Sequence, residues 1–247
     1  MSKIVDRTLD LLELFGKEKR PLTLSDIAHL LKIPMSSCHD VVHAMQARGY
    51  LYELAPRAGY YPTSRLHDLG KEIGDNDPIV KRAQVLLGPL RDTVDETVLL
   101  AKVTGLNATY LLVLEPMHPL YVRVKVGDGI RCLHGTSAGK ALLGSLEDPA
   151  LAAFLRSAKL QSFTKNTITS KKMLRDDIEL GRKRQWYLNR EETLSGVITV
   201  SAIFRSYSST YIVTIAGISS RMEQKLENAI RLLANVCQLL ETRSERV

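Results

Sequence analysis

A chain of 247 residues, 45% of them hydrophobic, can build two cores, and it has neither an apolar run of membrane-spanning length nor the basic-then-apolar start of a signal peptide, so a cytoplasmic protein with no membrane partner is expected. The net charge of +7 invites a polyanionic partner, yet residues 1–78 carry ten Lys+Arg against eleven Asp+Glu and the remainder carries twenty-four against sixteen, so the excess sits in the second part of the chain. Cys38, Cys132 and Cys237 are odd in number and far apart, with no metal-ligand spacing to histidines, which points away from a disulfide frame, a metal or any other cofactor.

Ile4, Val5, Leu9, Leu12 and Phe15 recur at helical spacing, predicting an amphipathic helix over 3–15 that Gly16 stops. Thr23 followed by Asp26 is an N-terminal capping signal. Leu24, Ile27, Ala28, Leu30 and Leu31 then continue a second helix, and Lys32-Ile33 breaks it. Pro34 is suited to opening a third helix, where its missing N–H costs nothing. Cys38, Val41, Val42 and Met45 share one face of that helix; Ser36, Asp40, His43 and Ala47 lie opposite. Gly49 ends it, and Leu51–Leu54 and Tyr60–Thr63 read as strands around the turn 56–59.

Two helices joined by a tight turn and followed by a hairpin are the pattern of a helix-turn-helix with a wing, whose second helix enters the DNA major groove. The candidate DNA contacts are Lys32, Ser36, Ser37, His39, Asp40, His43 and Arg48, with Arg57 on the wing. Lys3, Arg7, Lys17, Lys19, Arg20 and Arg65 are further candidates for phosphate. A small helical subdomain that packs on another element fits the same spacing. His39 and His43 are four apart on a helix but lack a third metal ligand.

Arg65–Ile73 reads as a short helix and 74–78 as a charged turn, giving three segments: 1–64, a linker over 65–78, and 79–247. Ile79–Val94 is helical by pattern. Thr97–Val103, Ala108–Leu114 and Leu120–Val126 are β-rich and read as an antiparallel meander. Ser137–Leu146, Pro149–Leu155 and Lys172–Gln185 read as helices, the last with Met173, Leu174, Ile178 and Leu180 as its apolar positions. Trp186–Leu188, Gly196–Phe204 and Tyr211–Ser219 read as strands, and Arg221–Arg243 as a long closing helix. The class is α+β: an antiparallel sheet flanked by helices, without the strand–helix alternation of a dinucleotide fold.

The densest constellation is Leu133-His134-Gly135-Thr136-Ser137-Ala138-Gly139-Lys140-Ala141. It is not a P-loop, because three residues rather than four separate its glycines and Ala141 stands where a magnesium-binding hydroxyl belongs. A small-residue turn entering a helix leaves backbone N–H groups suited to an anion such as a carboxylate; close packing alone would also explain the glycines. No catalytic set is recognisable. His134 has no nucleophile beside it, and the adjacent pair Glu191-Glu192 is of a kind that usually faces solvent.

Over nearly its full length the chain resembles the isocitrate lyase regulator (IclR) family of bacterial transcription factors. The resemblance rests on LTLSDIAHLLKIPMSSCHDVVHAMQARGYL, YYPTSRLHDLG, LHGTSAGKALL and FTKNTITSKKMLRDDIELGRKRQWYLNREETLSGVITVSAIF, with HGTSAGKA close to the family's His-x-Thr-x-x-Gly-Lys-Ala motif. It implies a winged helix-turn-helix, a linker helix and a GAF-like effector domain that bind a double-stranded DNA operator as a homodimer or dimer of dimers, tuned by a small organic acid. By motif, the effector pocket would use Leu133, Ser137, Ala138, Asn189, Val197, Thr199, Thr214 and Ala216. Asp40 stands where the family usually has Arg, Asn189 where it has Asp, Thr199 where it has Cys, and Ser201-Ala202-Ile203 where Ala-Ala-Pro is common. The leading expectation is a carboxylate-responsive regulator and not an enzyme. A ligand-independent DNA-binding regulator with a decayed pocket and, further off, a small-molecule enzyme with an accessory helical domain are the alternatives.

Overall fold

In a computed structural model of the chain, which describes residues 3–241, helix α1 spans Lys3–Glu18 and continues through Gly16. A glycine inside a helix costs only about 1 kcal/mol relative to alanine. The real stop is Lys19, whose left-handed φ of 54° turns the chain while its N–H still reaches the Phe15 carbonyl at 3.0 Å. The buried stripe of α1 is Leu11, Leu14 and Phe15, whereas Ile4, Val5 and Leu9 stay exposed, so the helix is apolar on more than its core face.

Helix α2 (Leu24–Leu31) starts with the expected reciprocal cap: Asp26 N–H donates to Thr23 Oγ1 at 3.1 Å and Thr23 N–H donates to Asp26 Oδ2 at 3.0 Å. The Thr23 backbone N–H first, and then the Thr23 hydroxyl donating to the same oxygen at 2.8 Å, hold the Asp26 carboxyl below its usual pKa. Lys32, again left-handed, closes α2, and helix α3 runs Met35–Ala47 with Pro34 in extended backbone just ahead of it rather than inside its first turn. Strands β1 (Leu51–Glu53) and β2 (Tyr60–Pro62) form the hairpin. Tyr60 and Leu22 exchange backbone hydrogen bonds of 2.8 and 3.0 Å, tying the hairpin to the segment before α2. Gly59 permits this approach: its φ is +102°, and a Cβ there would lie 3.0 Å from the Leu22 carbonyl carbon. Helix α4 (Arg65–Asp75) completes the first of two compact units, which divide between Asn76 and Asp77.

The second unit opens with helix α5 (Pro78–Val94), capped by Asp77 Oδ1, which accepts from Ile79 N–H at 2.9 Å. Strands β3 (Thr97–Thr104) and β4 (Asn107–Leu114) follow, then helices α6 (Ser137–Gly144), α7 (Asp148–Ser157) and α8 (Lys171–Arg184). Strands β5 (Tyr187–Arg190), β6 (Val197–Ser206) and β7 (Ser209–Ile218) lead into helix α9 (Ser219–Leu240); residues 242 and 243 of the expected closing helix lie outside the described residues. The sheet order is β4-β3-β7-β6-β5, antiparallel throughout.

The expected strand Leu120–Val126 is not one. Side chains, not a ladder, hold that segment: Thr97 Oγ1 donates to the Val122 carbonyl at 2.7 Å and Arg221 Nη2 to the Leu120 carbonyl at 2.9 Å. Leu120 and Val126 remain exposed, so their apolar character reported no sheet face. In α8 the buried positions are Leu174, Ile178 and Gly181, while Met173 and Leu180 are exposed.

The period of two along each strand separates two cores. Val98, Leu100, Val200, Phe204, Val213 and Ile215 belong to a core with Leu87 and Leu90 of α5 and Leu226 and Leu233 of α9. The opposite face presents Ala101, Ile212 and Tyr187 to Ala138, Ala141 and Leu142 of α6. A third cluster joins Leu143 of α6 to Leu151 and Leu155 of α7 and to Leu174 and Ile178 of α8. The Tyr187 ring is gripped between two glycines: a Cβ on Gly144 would fall 1.9 Å from its hydroxyl, and one on Gly181 would fall 2.3 Å from its ring. At the other end of the sheet, buried Glu96 takes two hydrogen bonds of 2.9 Å from the Arg221 guanidinium and an ion pair of 3.0 Å from Lys225. Among the described residues no helix is long and apolar enough to cross a membrane.

Candidate DNA-reading helix and effector site

Helix α3 buries Cys38, Val41, Val42 and Met45, and this fixes what it can show outward. Ser36, His39 and His43 are exposed, with the two imidazole rings tilted by 38° and their centroids 4.1 Å apart. Ser37, Asp40 and Arg48 lie round the helix from these and line a 790 Å³ cavity that also touches Arg7 and Leu12 of α1 and Leu69 of α4. The candidate DNA contacts thus divide between two sides of α3. Asp40, with 84% of its side chain exposed, stands at their border, 3.8 Å from His39 Nδ1. Lys32 is exposed at the turn between α2 and α3, and Arg57 is exposed at the hairpin tip with a left-handed φ of 65°.

In the second unit, Thr136 caps α6, its Oγ1 accepting from Gly139 N–H at 3.0 Å. That leaves the N–H groups of Ser137 and Ala138, the first two of the helix, without an acceptor among the described atoms. Gly139 lets α6 start this close to the preceding loop: a Cβ there would sit 2.5 Å from Leu133 Cα and 2.6 Å from the Cys132 carbonyl oxygen.

Four of the eight motif-derived pocket residues come together in one hydrogen-bonded chain. Asn189 Nδ2 donates to Thr199 Oγ1 at 3.3 Å. Thr199 Oγ1 pairs with Ser137 Oγ at 2.6 Å, Ser137 Oγ with Ser201 Oγ at 2.7 Å, and Ser201 Oγ with Thr214 Oγ1 at 2.7 Å. Strand pairing explains it: Thr199 lies opposite Asn189, and Ser201 opposite Thr214. Val197 and Ala216 share the same sheet face by register, and Ala138 and Leu133 lie on or before α6; Leu133 and Thr199 are only half-buried, so the chain comes nearest to solvent at that end. Ser201 was not among the expected pocket residues, although it lies two positions after Thr199 and so must share its face.

Four hydroxyls joined by three bonds have one O–H proton to spare, since each hydroxyl donates once. The spare donor falls at whichever of the four hydroxyls the directions of the three bonds leave unused. Asn189 keeps a second N–H, while its Oδ1 accepts from Glu192 N–H at 2.7 Å.

Lys140 is the other residue the spacing did not place. It is 1% exposed, and its Nζ lies 2.7 Å from Glu192 Oε1, 2.8 Å from Asp177 Oδ2 and 2.9 Å from the Leu188 carbonyl. The approach to Asp177 Oδ2 is an ion pair without hydrogen-bonding direction, and that oxygen and Glu192 Oε2 are buried without hydrogen-bond donors. Burial pushes the Glu192 carboxyl up from its ordinary value, against the pull of Lys140. Glu192 is therefore an interior anchor rather than the solvent-facing half of an acidic pair. Cys132 and His134 form no nucleophile: the imidazole Nε2 lies 2.9 Å from the Gln161 carbonyl, so it carries the proton, Nδ1 faces the thiol at 3.6 Å, and burial raises the thiol's pKa.

Residues 72–240 match the model for the bacterial transcriptional regulator IclR C-terminal domain, and residues 4–55 match the IclR helix-turn-helix domain. This chain belongs to the IclR family. Among its relatives, the HTH-type transcriptional regulator BhcR of Paracoccus denitrificans is 30% identical over 81% of this chain and 71% of its own length. The HTH-type transcriptional regulator XynR of Escherichia coli K12 is 24% identical over 89% of this chain and 87% of its own. The crystal structure of a transcriptional regulator from Rhodococcus sp. RHA1 superposes with a TM-score of 0.79 at 22% identity, covering 98% of this chain and 97% of that one. An IclR homologue from Microbacterium hydrocarbonoxydans, solved as a complex with 4-hydroxybenzoate, superposes with a TM-score of 0.75 at 19% identity, covering 97% and 98%. As an IclR-family member the protein is a DNA-binding transcriptional regulator with an effector domain, and not an enzyme.

Proposed function

We propose that this IclR-family regulator holds a small carboxylate at the start of α6 and that occupancy sets its affinity for a DNA operator. The observation that carries this is a surplus of donors. Two helix N–H groups at the start of α6, one hydroxyl proton of the chain that Ser137 joins and one amide N–H of Asn189 have no acceptor among the described atoms, and a carboxylate supplies acceptors only. Asn189 and Thr199 keep that side free of the negative charge an aspartate would bring. The 4-hydroxybenzoate in the Microbacterium relative is a ligand of this chemistry.

Calorimetry with 4-hydroxybenzoate and 4-hydroxybenzamide tests the charge, and two variants test the place. Proline is tolerated at the first position of a helix, so Ser137→Pro should keep α6 while removing one N–H, and Ser137→Ala should keep that N–H. A hydrogen bond to a charged group is worth about 1.5–3 kcal/mol, so proline should weaken carboxylate binding roughly 10- to 100-fold beyond alanine. Equal affinities for the two variants, or tighter binding of the amide, would refute the proposal.

For the DNA side, we take Ser36, His39 and His43 as the groove-facing set, with Lys32 and Arg57 toward phosphate. Asp40 accepts a hydrogen bond from cytosine N4 at its edge. Asp40→Ala should then relax preference at one base pair by about 1–3 kcal/mol, read out by binding-site selection; an unchanged preference would assign Asp40 to the cavity side. Exposed Ile4, Val5 and Leu9 on α1 supply an apolar face for a second copy, as two half-sites require.

A further inference from the structure

The basic excess of this protein is concentrated in one place. Residues 149–175 contain six Lys+Arg and no Asp or Glu. All six (Arg156, Lys159, Lys165, Lys171, Lys172 and Arg175) are exposed, and among the described residues none forms a salt bridge. Four of them line a broad groove of 560 Å³ between α7 and α8, floored by Ala152 and Leu155. Lys171 Nζ donates to the Arg156 carbonyl at 2.6 Å, which fixes the two helix ends against each other.

The placement runs against local electrostatics. A helix N-terminus carries partial positive charge and favours acidic residues in its first turn. The first turn of α8 has no acid and instead holds Lys171 and Lys172, with Arg175 one turn on from Lys171 and therefore on the same side. Such a conflict is a cost to the isolated protein that an anion would relieve.

We infer that the α7–α8 face of the effector unit binds the phosphate backbone of double-stranded DNA, in addition to the contacts of the helix-turn-helix. Two observations favour DNA over an acidic protein or a small anion. The residues of the DNA-reading segment, 1–78, carry a net charge of about −1, so the unit that must approach DNA brings little attraction of its own. The groove is shallow and its four cations are spread along two helices, which suits a line of phosphates better than one enclosed ligand.

The test uses the full-length protein and a random-sequence 200-base-pair duplex, because phosphate contacts do not depend on sequence. The slope of log K against log[KCl] is measured for the wild type, for Arg156→Gln/Lys171→Gln/Lys172→Gln/Arg175→Gln, and for Lys172→Glu/Arg175→Glu, which spares the Lys171–Arg156 contact should the quadruple variant fold poorly. A control changes four exposed cations elsewhere on the same unit: Lys102→Gln/Arg123→Gln/Lys125→Gln/Arg131→Gln. Each lost phosphate contact removes about 0.9 from the slope, so the groove variants should lose roughly 2–4 and the control less than 1. Unchanged slopes in the groove variants, or equal losses in the control, would overturn the inference. So would a groove variant that binds DNA like the wild type yet loses binding to poly-glutamate, which would assign the face to an acidic protein. Wild-type binding to the duplex serves as the separate check on the helix-turn-helix.

Discussion

Lys140→Met should destabilise the effector unit by about 3–5 kcal/mol, the usual cost of leaving buried charge without its partner. Among the described residues the ammonium is the only cation within 3 Å of Glu192 and Asp177, Arg184 lying 3.9 Å from Asp177, and methionine fills its volume while leaving two carboxylates facing each other. Trp186, the single tryptophan, lies in this unit beside β5, so urea unfolding followed by its fluorescence reports the right transition. The sign of the pH dependence follows from Glu192. Its carboxyl is already raised in the folded protein, so the native state holds that proton more tightly than the unfolded chain does. Stability from this group is therefore present at low pH and lost as pH rises through the folded-state value. Removing Lys140 strengthens the effect, so the deficit should be smaller at pH 5 than at pH 7.5, and Glu192→Gln should recover part of it. A deficit below 1 kcal/mol that is the same at both pH values would show that the triad contributes little.

Arg221→Met should cost about 3 kcal/mol, at the lower end of the range for a broken buried pair, because Lys225 stays with the carboxylate. Glu96 is fully buried and Arg221 supplies both of its hydrogen bonds, so its loss also frees the Leu120 carbonyl and loosens 115–122. Lys225→Met alone should cost less, and the double variant more than the sum, since only then is Glu96 left with no cation. Additive costs in the same unfolding assay would argue against a shared carboxylate.

The reading unit was legible in the sequence because local rules suffice there. The Thr23–Asp26 cap, the apolar face of α3 and the turn before β2 are each settled within a few residues. Two of the failures have one cause, which is that apolar character does not say which surface it meets. Leu120 and Val126 looked like a strand and are exposed, and Met173 and Leu180 looked like core and are not. Gly16 misled differently, since one glycine is a weak stop inside a strongly amphipathic helix. Thr199 and Asn189 could be placed by motif, yet their bonding to Ser137, Ser201 and Thr214 depends on strand register across residues far apart in the chain. Lys140 could not be placed at all by spacing, because its carboxylates come from α8 and from the loop after β5, 37 and 52 residues away.

The grip of Gly144 and Gly181 on the Tyr187 ring has a mechanical meaning. Tyr187 is buried, with its phenol pushed up to about 12 by that burial, so it stays protonated and acts as a wedge rather than a charge. Backbone from two helices rests directly on the ring, leaving no soft side chain between them to absorb a displacement. A shift of α6 of a few tenths of an ångström at its carboxyl end must push the ring, and the ring must push α8. The two helices and the strand beneath them thus behave as a gear train without backlash, in which a displacement of α6 passes through the ring to α8.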